Sequence, residues 1–261
     1  GSVLRALDSS EIVVPSWGCA NRGTRFGKFI QASAATSTEE KLSDAGRVHA
    51  VTGCCPSVAV HVLWDFPDGI AGVEAVRLAA ARHGVRIGSI NPNLFQDQIY
   101  KHGSLGNPDP HVRTKAEEHI ADCIEIARRT GSRDISLWFA DGSSFPGTAN
   151  IRGRKKHFAE ALHRLHEQMD PSQRMLVEYK PFEPAFYHTD IADWGMAHIL
   201  TKQAGERAKV LVDTGHHYQA QNIEQIVAWL LSENALGGFH FNDRRYADDD
   251  LTLGSIDPYQ V

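Results

Sequence analysis

Three segments in the second half of the chain carry its reading: VEYKPFEP at residues 177–184, KVLVDTGHH at 209–217 and GGFHFNDRRYADDD at 237–250. Each opens on a short apolar run and closes on charged or imidazole side chains. These are Glu178 and Lys180 in the first, Asp213 and His216 in the second, and His240 in the third, with Asp248 and Asp250 just beyond. Apolar runs of this length between helical patterns read as buried parallel strands. Carboxylates and imidazoles at the ends of successive parallel strands converge on one mouth, where a barrel of such strands keeps its chemistry.

Outward from these segments the same alternation continues. Strands are expected at 11–17, 57–66, 85–93 and 133–142, before the three at MLVEYK, KVLVDTG and GGFHFND. The 57–66 run, SVAVHVLWDF, ends on His61, Trp64 and Asp65, and the 133–142 run carries Trp138. Helices are expected at about 39–52, 72–83, 110–130, 155–169, 190–204 and 222–234, with Ser37-Thr38-Glu39-Glu40 as a start signal and Gly131 as a stop. Seven strand units alternating with six helices predict an α/β fold with a parallel sheet and helices outside. No Gly-rich nucleotide fingerprint opens the first unit, which favours a closed barrel over a doubly wound sheet. The expected organisation is a tag remnant and lead-in over 1–10, then one barrel domain over 11–261. A barrel of this kind closes on eight strands, whereas the chain stops at SIDPYQV as a seventh helix would begin. The expectation is therefore a C-terminally incomplete barrel without its eighth strand.

Composition narrows the function classes. The 261 residues carry a formal net charge of −5, which argues against a nucleic-acid partner. The densest basic cluster, RGRKK at 152–156, reads as a solvated helix face. Cys19, Cys54, Cys55 and Cys123 form no zinc-type spacing and read as reduced thiols of a cytoplasmic protein. No apolar run is long enough to span a bilayer, so no membrane partner is expected.

Singly, the chemistry-bearing residues have plain explanations. Glu178 and Lys180, two apart on a strand, share a face and could form a structural ion pair. Asp213 could serve as a helix cap, His240 as a satisfied core histidine, and Asp248 and Asp250 as solvated loop. Together they supply two sets of oxygen and nitrogen ligands without thiolate, which suits Mn²⁺, Mg²⁺ or Co²⁺ more than a closed structural zinc site. Trp17, Trp64 and Trp138, near the same strand ends, are the flat aromatic walls on which sugars stack.

PSWG, the GTRF loop, VHVLWDF, LWFADGSSFPG, EYKPFEPAFY, VDTGHH and GGFHFNDRRYADDD together resemble bacterial L-rhamnose isomerases and other sugar isomerases related to xylose isomerase. The resemblance runs from about residue 11 to residue 261. It implies a TIM (β/α)8 barrel of the xylose isomerase-like type, assembled as a homotetramer. Such a protein interconverts an aldose and a ketose, here L-rhamnose and L-rhamnulose; a metal-mediated hydride shift between C1 and C2 is the expected route, and a cis-enediol formed by a carboxylate general base is the competing one. It also implies two divalent metal ions, Mn first, with Mg, Co or Zn as alternatives. Carried over by motif, Glu178 bridges the two metals, Asp213 and His240 are further ligands of the structural metal, and His216, Asp248 and Asp250 hold the catalytic metal. His61, Trp64, Trp138 and Lys180 line the sugar, and Phe26 reaches into a neighbouring subunit's site. Lys180, Asp250 and His216 are the catalytic candidates. A fourth carboxylate of the structural metal would come from the eighth strand. Other readings within the fold are a sugar epimerase, a metal-dependent phosphodiester hydrolase, and an inactive fragment that binds metal or sugar.

Overall fold

The computed structural model describes residues 4–5, 10–21, 30–182, 188–246 and 250–261. The backbone falls into two compact units: residues 1–93 with 122–135, and residues 94–121 with 136–261.

In the first unit, β1 (Val13–Pro15), β2 (Ser57–His61), β3 (Arg86–Asn91) and the start of β4 (Asp134–Leu137) lie in that order. Their pairings are parallel, with Val14 opposite Val58, Val58 opposite Ile87 and Ile90 opposite Ile135. Val58, Ala59 and Val60 are consecutive and all buried, as expected of a strand covered on both faces. Helices α1 (Thr38–Thr52) and α2 (Val73–Arg82) follow β1 and β2. Ser37 caps α1 by accepting from the Glu40 N–H, and Gly53, at φ 73°, stops it in a left-handed turn.

The expected strand at 57–66 is corrected here. It stops at His61, and Val62–Asp65 is a single helical turn. The cause is Asp65, whose fully buried carboxylate accepts hydrogen bonds from the His61 N–H at 2.9 Å and the Ser16 hydroxyl at 2.6 Å, and pairs with Lys41 Nζ at 2.7 Å. A buried carboxylate needs several donors, and only a chain that folds back on itself brings Asp65 to the His61 amide.

Helix α3 (Pro110–Thr130) has the expected bounds, opening on proline and ending at Gly131 with φ 72°. The second unit continues from β4 with β6 (Arg174–Glu178), β8 (Ala208–Asp213) and β9 (Leu236–His240), neighbours in that order. The β6–β8 and β8–β9 pairings are parallel, setting Glu178 opposite Leu211 and Asp213 opposite His240. Helix α4 (Ile151–Glu167) packs on α5 (Trp194–Ala204), while α5 lies against β6 and β8 and α6 (Ile223–Ser232) against β9. Each is capped by a side chain (Asn150, Asp193 or Asn222) that accepts from the amide three residues on. The Asn150 cap explains why α4 starts four residues ahead of the expected 155. Phe158, Leu162, Leu165, Val177, Val210, Val212 and Leu230 are fully buried and form the centre of this unit.

Two further differences bear on the site. Strand β6 ends at Glu178, so Lys180 lies beyond it, and strand alternation does not set its direction. A two-residue antiparallel ribbon, β5 (Gly142–Ser143) with β7 (His188–Thr189), was not foreseen from sequence. It pins the chain after β6: the Lys180 N–H donates to the Ile191 carbonyl at 3.0 Å, and the Thr189 hydroxyl donates to the Lys180 carbonyl. Among the described residues, no helix is long and apolar enough to cross a membrane.

Candidate metal centre

Glu178, Asp213 and His240 are the last residues of β6, β8 and β9. Because these strands are neighbours in parallel register, three ligand-type side chains emerge at one end of one sheet. One donor atom from each lies within 4.8 Å of the others. His240 Nδ1 stands 3.3 Å from Glu178 Oε2 and 3.8 Å from Asp213 Oδ2. His216, three residues past the end of β8, joins the group with Nδ1 3.1 Å from Glu178 Oε1 and Nε2 3.8 Å from Asp213 Oδ2. His216 Nδ1 is also 3.0 Å from the Tyr179 carbonyl. A proton on Nδ1, donated to that carbonyl, leaves Nε2 with its lone pair.

The corner after β8 is clamped to the chain after β9. Asp213 Oδ1 accepts from the Gly215 N–H at 2.7 Å and from Asn242 Nδ2 at 2.8 Å. The Thr214 N–H donates to the His240 carbonyl at 3.0 Å, and the Thr214 hydroxyl accepts from the Asn242 N–H at 2.9 Å. Gly215 is required by proximity, since a Cβ there would sit 1.9 Å from Asn242 Oδ1. Behind Glu178, the Tyr179 hydroxyl meets His217 Nε2 at 2.6 Å, and both side chains are buried.

Two buried carboxylates side by side are costly unless cations answer them. Burial opposes ionisation of Glu178, but the His240 charge and hydrogen bonds from both histidines hold its carboxyl well below the usual range. Burial pushes Asp213 up to about 6, with the Glu178 charge adding to the rise against the pull of His216. Burial acts against a charge on His240, yet Glu178 and Asp213 raise its pKa above the ordinary imidazole value. Burial, followed by the Arg244 charge, lowers His217 to about 4, so it stays neutral. A set of two carboxylate oxygens and imidazole nitrogen, preorganised by backbone and amide donors, fits a divalent cation.

The other expected residues make contacts of their own. In the first unit, the His61 ring stands between Trp17, at 4.8 Å, and Trp64, at 4.2 Å between ring centres. In the second, Trp138 packs edge-on against Phe95 at 5.1 Å, with the buried Lys180 placing Nζ 5.7 Å from its ring. Asp250 is exposed, with φ 48°, beside Leu251, which pairs with Asp243. Phe26 and Asp248 lie outside the described residues. Sequence reasoning gave Asn242, Thr214 and Tyr179 no part in the site. Only the Asp-x-Gly spacing of 213–215 signalled the turn in which Asp213 accepts from the Gly215 amide.

A family model described as xylose isomerase-like TIM barrel matches residues 57–255. The chain belongs to this family. Among curated relatives of this xylose isomerase-like barrel, a probable sugar isomerase from Mesorhizobium japonicum is 38% identical, over 100% of this chain and 61% of its own length. A probable sugar isomerase from Rhizobium meliloti is 37% identical over 96% of this chain and 59% of its own. The xylose isomerase of Thermus thermophilus is 27% identical over 70% of this chain and 49% of its own. The chain thus spans about six-tenths of the length of the first two relatives. Among solved structures, a D-allulose 3-epimerase from Methylomonas sp. superposes with a TM-score of 0.65 at 15% identity, over 90% of this chain and 73% of the other. A 3-keto-D-glucoside 4-epimerase from E. coli gives 0.64 at 14% identity, over 90% and 80%. At these identities the likeness is one of fold.

Proposed function

We propose that this chain is the metal-binding part of an aldose–ketose isomerase that acts on a small sugar, with L-rhamnose as the first substrate to test. The observation that carries the reading is the convergence of Glu178, Asp213 and His240 within 4.8 Å at three neighbouring strand ends. Membership of the xylose isomerase-like family and the two probable sugar isomerases among the relatives support it. Bound there, a divalent cation supplies Lewis-acid polarisation of sugar oxygens and neutralises the carboxylates.

The chain's own groups have distinct tasks. Glu178 and Asp213 would offer carboxylate oxygens and His240 its Nδ1 to one cation, and His216, Asp248 and Asp250 would hold a second, catalytic one. Lys180, a buried ammonium beside Trp138, donates to the sugar oxygen on which negative charge builds as hydrogen moves between C1 and C2. Trp138 gives the sugar's C–H face a flat partner. The same ligand set and fold serve a second reading, epimerisation of a ketose. The two part at the product: an isomerase converts an aldose to a ketose, whereas an epimerase inverts one hydroxyl carbon of a ketose. The assembly proposed with this reading is a cytoplasmic homotetramer.

The test is ketose formation from L-rhamnose and other aldoses by chelator-treated protein, with and without Mn²⁺. Metal-dependent ketose formation that Glu178→Gln abolishes is expected. Tight Mn²⁺ binding accompanied by ketose epimerisation alone would replace isomerase with epimerase. A protein that binds no divalent cation overturns both.

A further inference from the structure

The second unit contains a cavity of about 610 Å³ that shares no residue with the carboxylate–imidazole cluster. It is lined among others by Lys101, His102, Ser143, Phe145, Arg154 and His157, and no carboxylate is among its lining residues. That is unexpected in a chain whose acidic residues outnumber its basic ones by 32 to 27. Arg154 is committed: its Nε and Nη2 donate to the Asp190 carboxylate at 2.9 and 2.7 Å, and its Nη1 donates to the His102 carbonyl at 3.3 Å. The guanidinium is thereby fixed in place and its charge answered from behind.

Lys101, His102 and His157 differ, for none of them makes a side-chain ion pair among the described residues, and the buried Nδ1 of His157 has no hydrogen-bond partner. Burial, followed by the charge of Arg113, lowers the His157 imidazole below its ordinary value, and Arg154 and Lys156 add to this against Glu160. Glu160 acts on His157 and Asp190 on Arg154, and no lining carboxylate answers Lys101. The ribbon strand β5 adds Ser143 and the cap of α4 adds Asn150, which can donate hydrogen bonds to oxygen.

We infer that this cavity binds a small phosphorylated metabolite, a sugar-sized phosphate ester. Its volume lies within the range of small-ligand sites, about 300–1,000 Å³. A dianionic phosphate matches unpaired ammonium and imidazole groups through charge-assisted hydrogen bonds. The exposed Phe145 ring at the rim offers an apolar wall to the rest of the ligand. A neutral sugar would leave the cationic groups unanswered. An acidic peptide would need an extended basic surface rather than a pocket of this size.

The experiment is calorimetric titration of chelator-treated protein with inorganic phosphate, glucose 6-phosphate and glucose. Chelation removes any phosphate binding through a cation at the strand ends. Phosphate and glucose 6-phosphate are expected to bind and glucose not to. Lys101→Gln and His157→Gln should each weaken glucose 6-phosphate binding about tenfold, the size of one lost charge-assisted bond. Lys101 is exposed and His157 half-buried, and a thermal melt checks that the variants fold. The proposal is overturned if neither phosphate species binds, if glucose binds equally well, or if affinity survives the double substitution.

Discussion

Asn242 Nδ2 donates to Asp213 Oδ1 at 2.8 Å, and the Gly215 amide donates to the same oxygen at 2.7 Å. Oδ1 is therefore satisfied by the protein, and Oδ2 is the oxygen presented to His216 and His240, each 3.8 Å away. Outer partners that orient a ligating carboxylate are worth about 10–100-fold in metal affinity. Asn242→Ala should weaken Mn²⁺ binding by that factor while leaving Glu178 and both histidines in place. Titration followed by the manganese EPR signal reads the affinity directly. Unchanged affinity would show that Asp213 holds its orientation without Asn242.

Gly215→Ala should act through the same contact. The added Cβ would lie 1.9 Å from Asn242 Oδ1, so the amide must swing away and its bond to Asp213 is lost. Overpacking of this kind costs about 1–3 kcal/mol. In an Asn242→Ala background the obstruction disappears, and Gly215→Ala should then cost less than it does alone. A double-mutant cycle by urea denaturation measures the difference. Additive costs would place the strain of Gly215→Ala elsewhere.

Affinity for a divalent cation should rise with pH from about 5 to 8. Asp213, raised to about 6, takes up a proton as pH falls through that value, and a protonated carboxyl cannot ligate. His240, raised above the ordinary imidazole value, must also lose its proton, so the gain continues past neutrality. Glu178, held below the usual carboxylate range, stays ionised and adds no dependence in this window. Binding should release between one and two protons near pH 6. Calorimetry in two buffers of different ionisation enthalpy counts them, and zero release would contradict the raised values.

The alternation of strands and helices was legible because each element carries its own signal. Proline and glycine bracket α3, and the unbroken apolar run Val58-Ala59-Val60 marks β2. The end of β2 was not legible, since SVAVHVLWDF stays apolar past the point where the strand stops. That end is set by Asp65 folding back to the His61 amide, a three-dimensional demand with no local pattern. The ligand types at the ends of β6, β8 and β9 could be read from their positions after apolar runs. Asn242 could not, because its role exists only once β8 and β9 lie side by side. The β5–β7 ribbon is two residues on each side, too short for any periodicity to mark it.

That same Asp65 supports a last prediction, about stability. Its side chain is fully buried, and Lys41 is its charge partner at 2.7 Å, with the Ser16 hydroxyl and His61 amide completing its donors. Removing one member of a buried pair leaves the other uncompensated and costs about 3–5 kcal/mol. Lys41→Met should therefore lower unfolding stability by that amount. Arg77→Met should cost far less, because the Arg77–Glu74 pair is exposed on both sides and screened by solvent. Adding Asp65→Asn to Lys41→Met should recover part of the loss, since an amide needs no counter-charge and can still accept from the His61 N–H. Denaturant midpoints for the four proteins, wild type included, settle the order. If Lys41→Met proves as mild as Arg77→Met, water rather than lysine is holding the Asp65 charge.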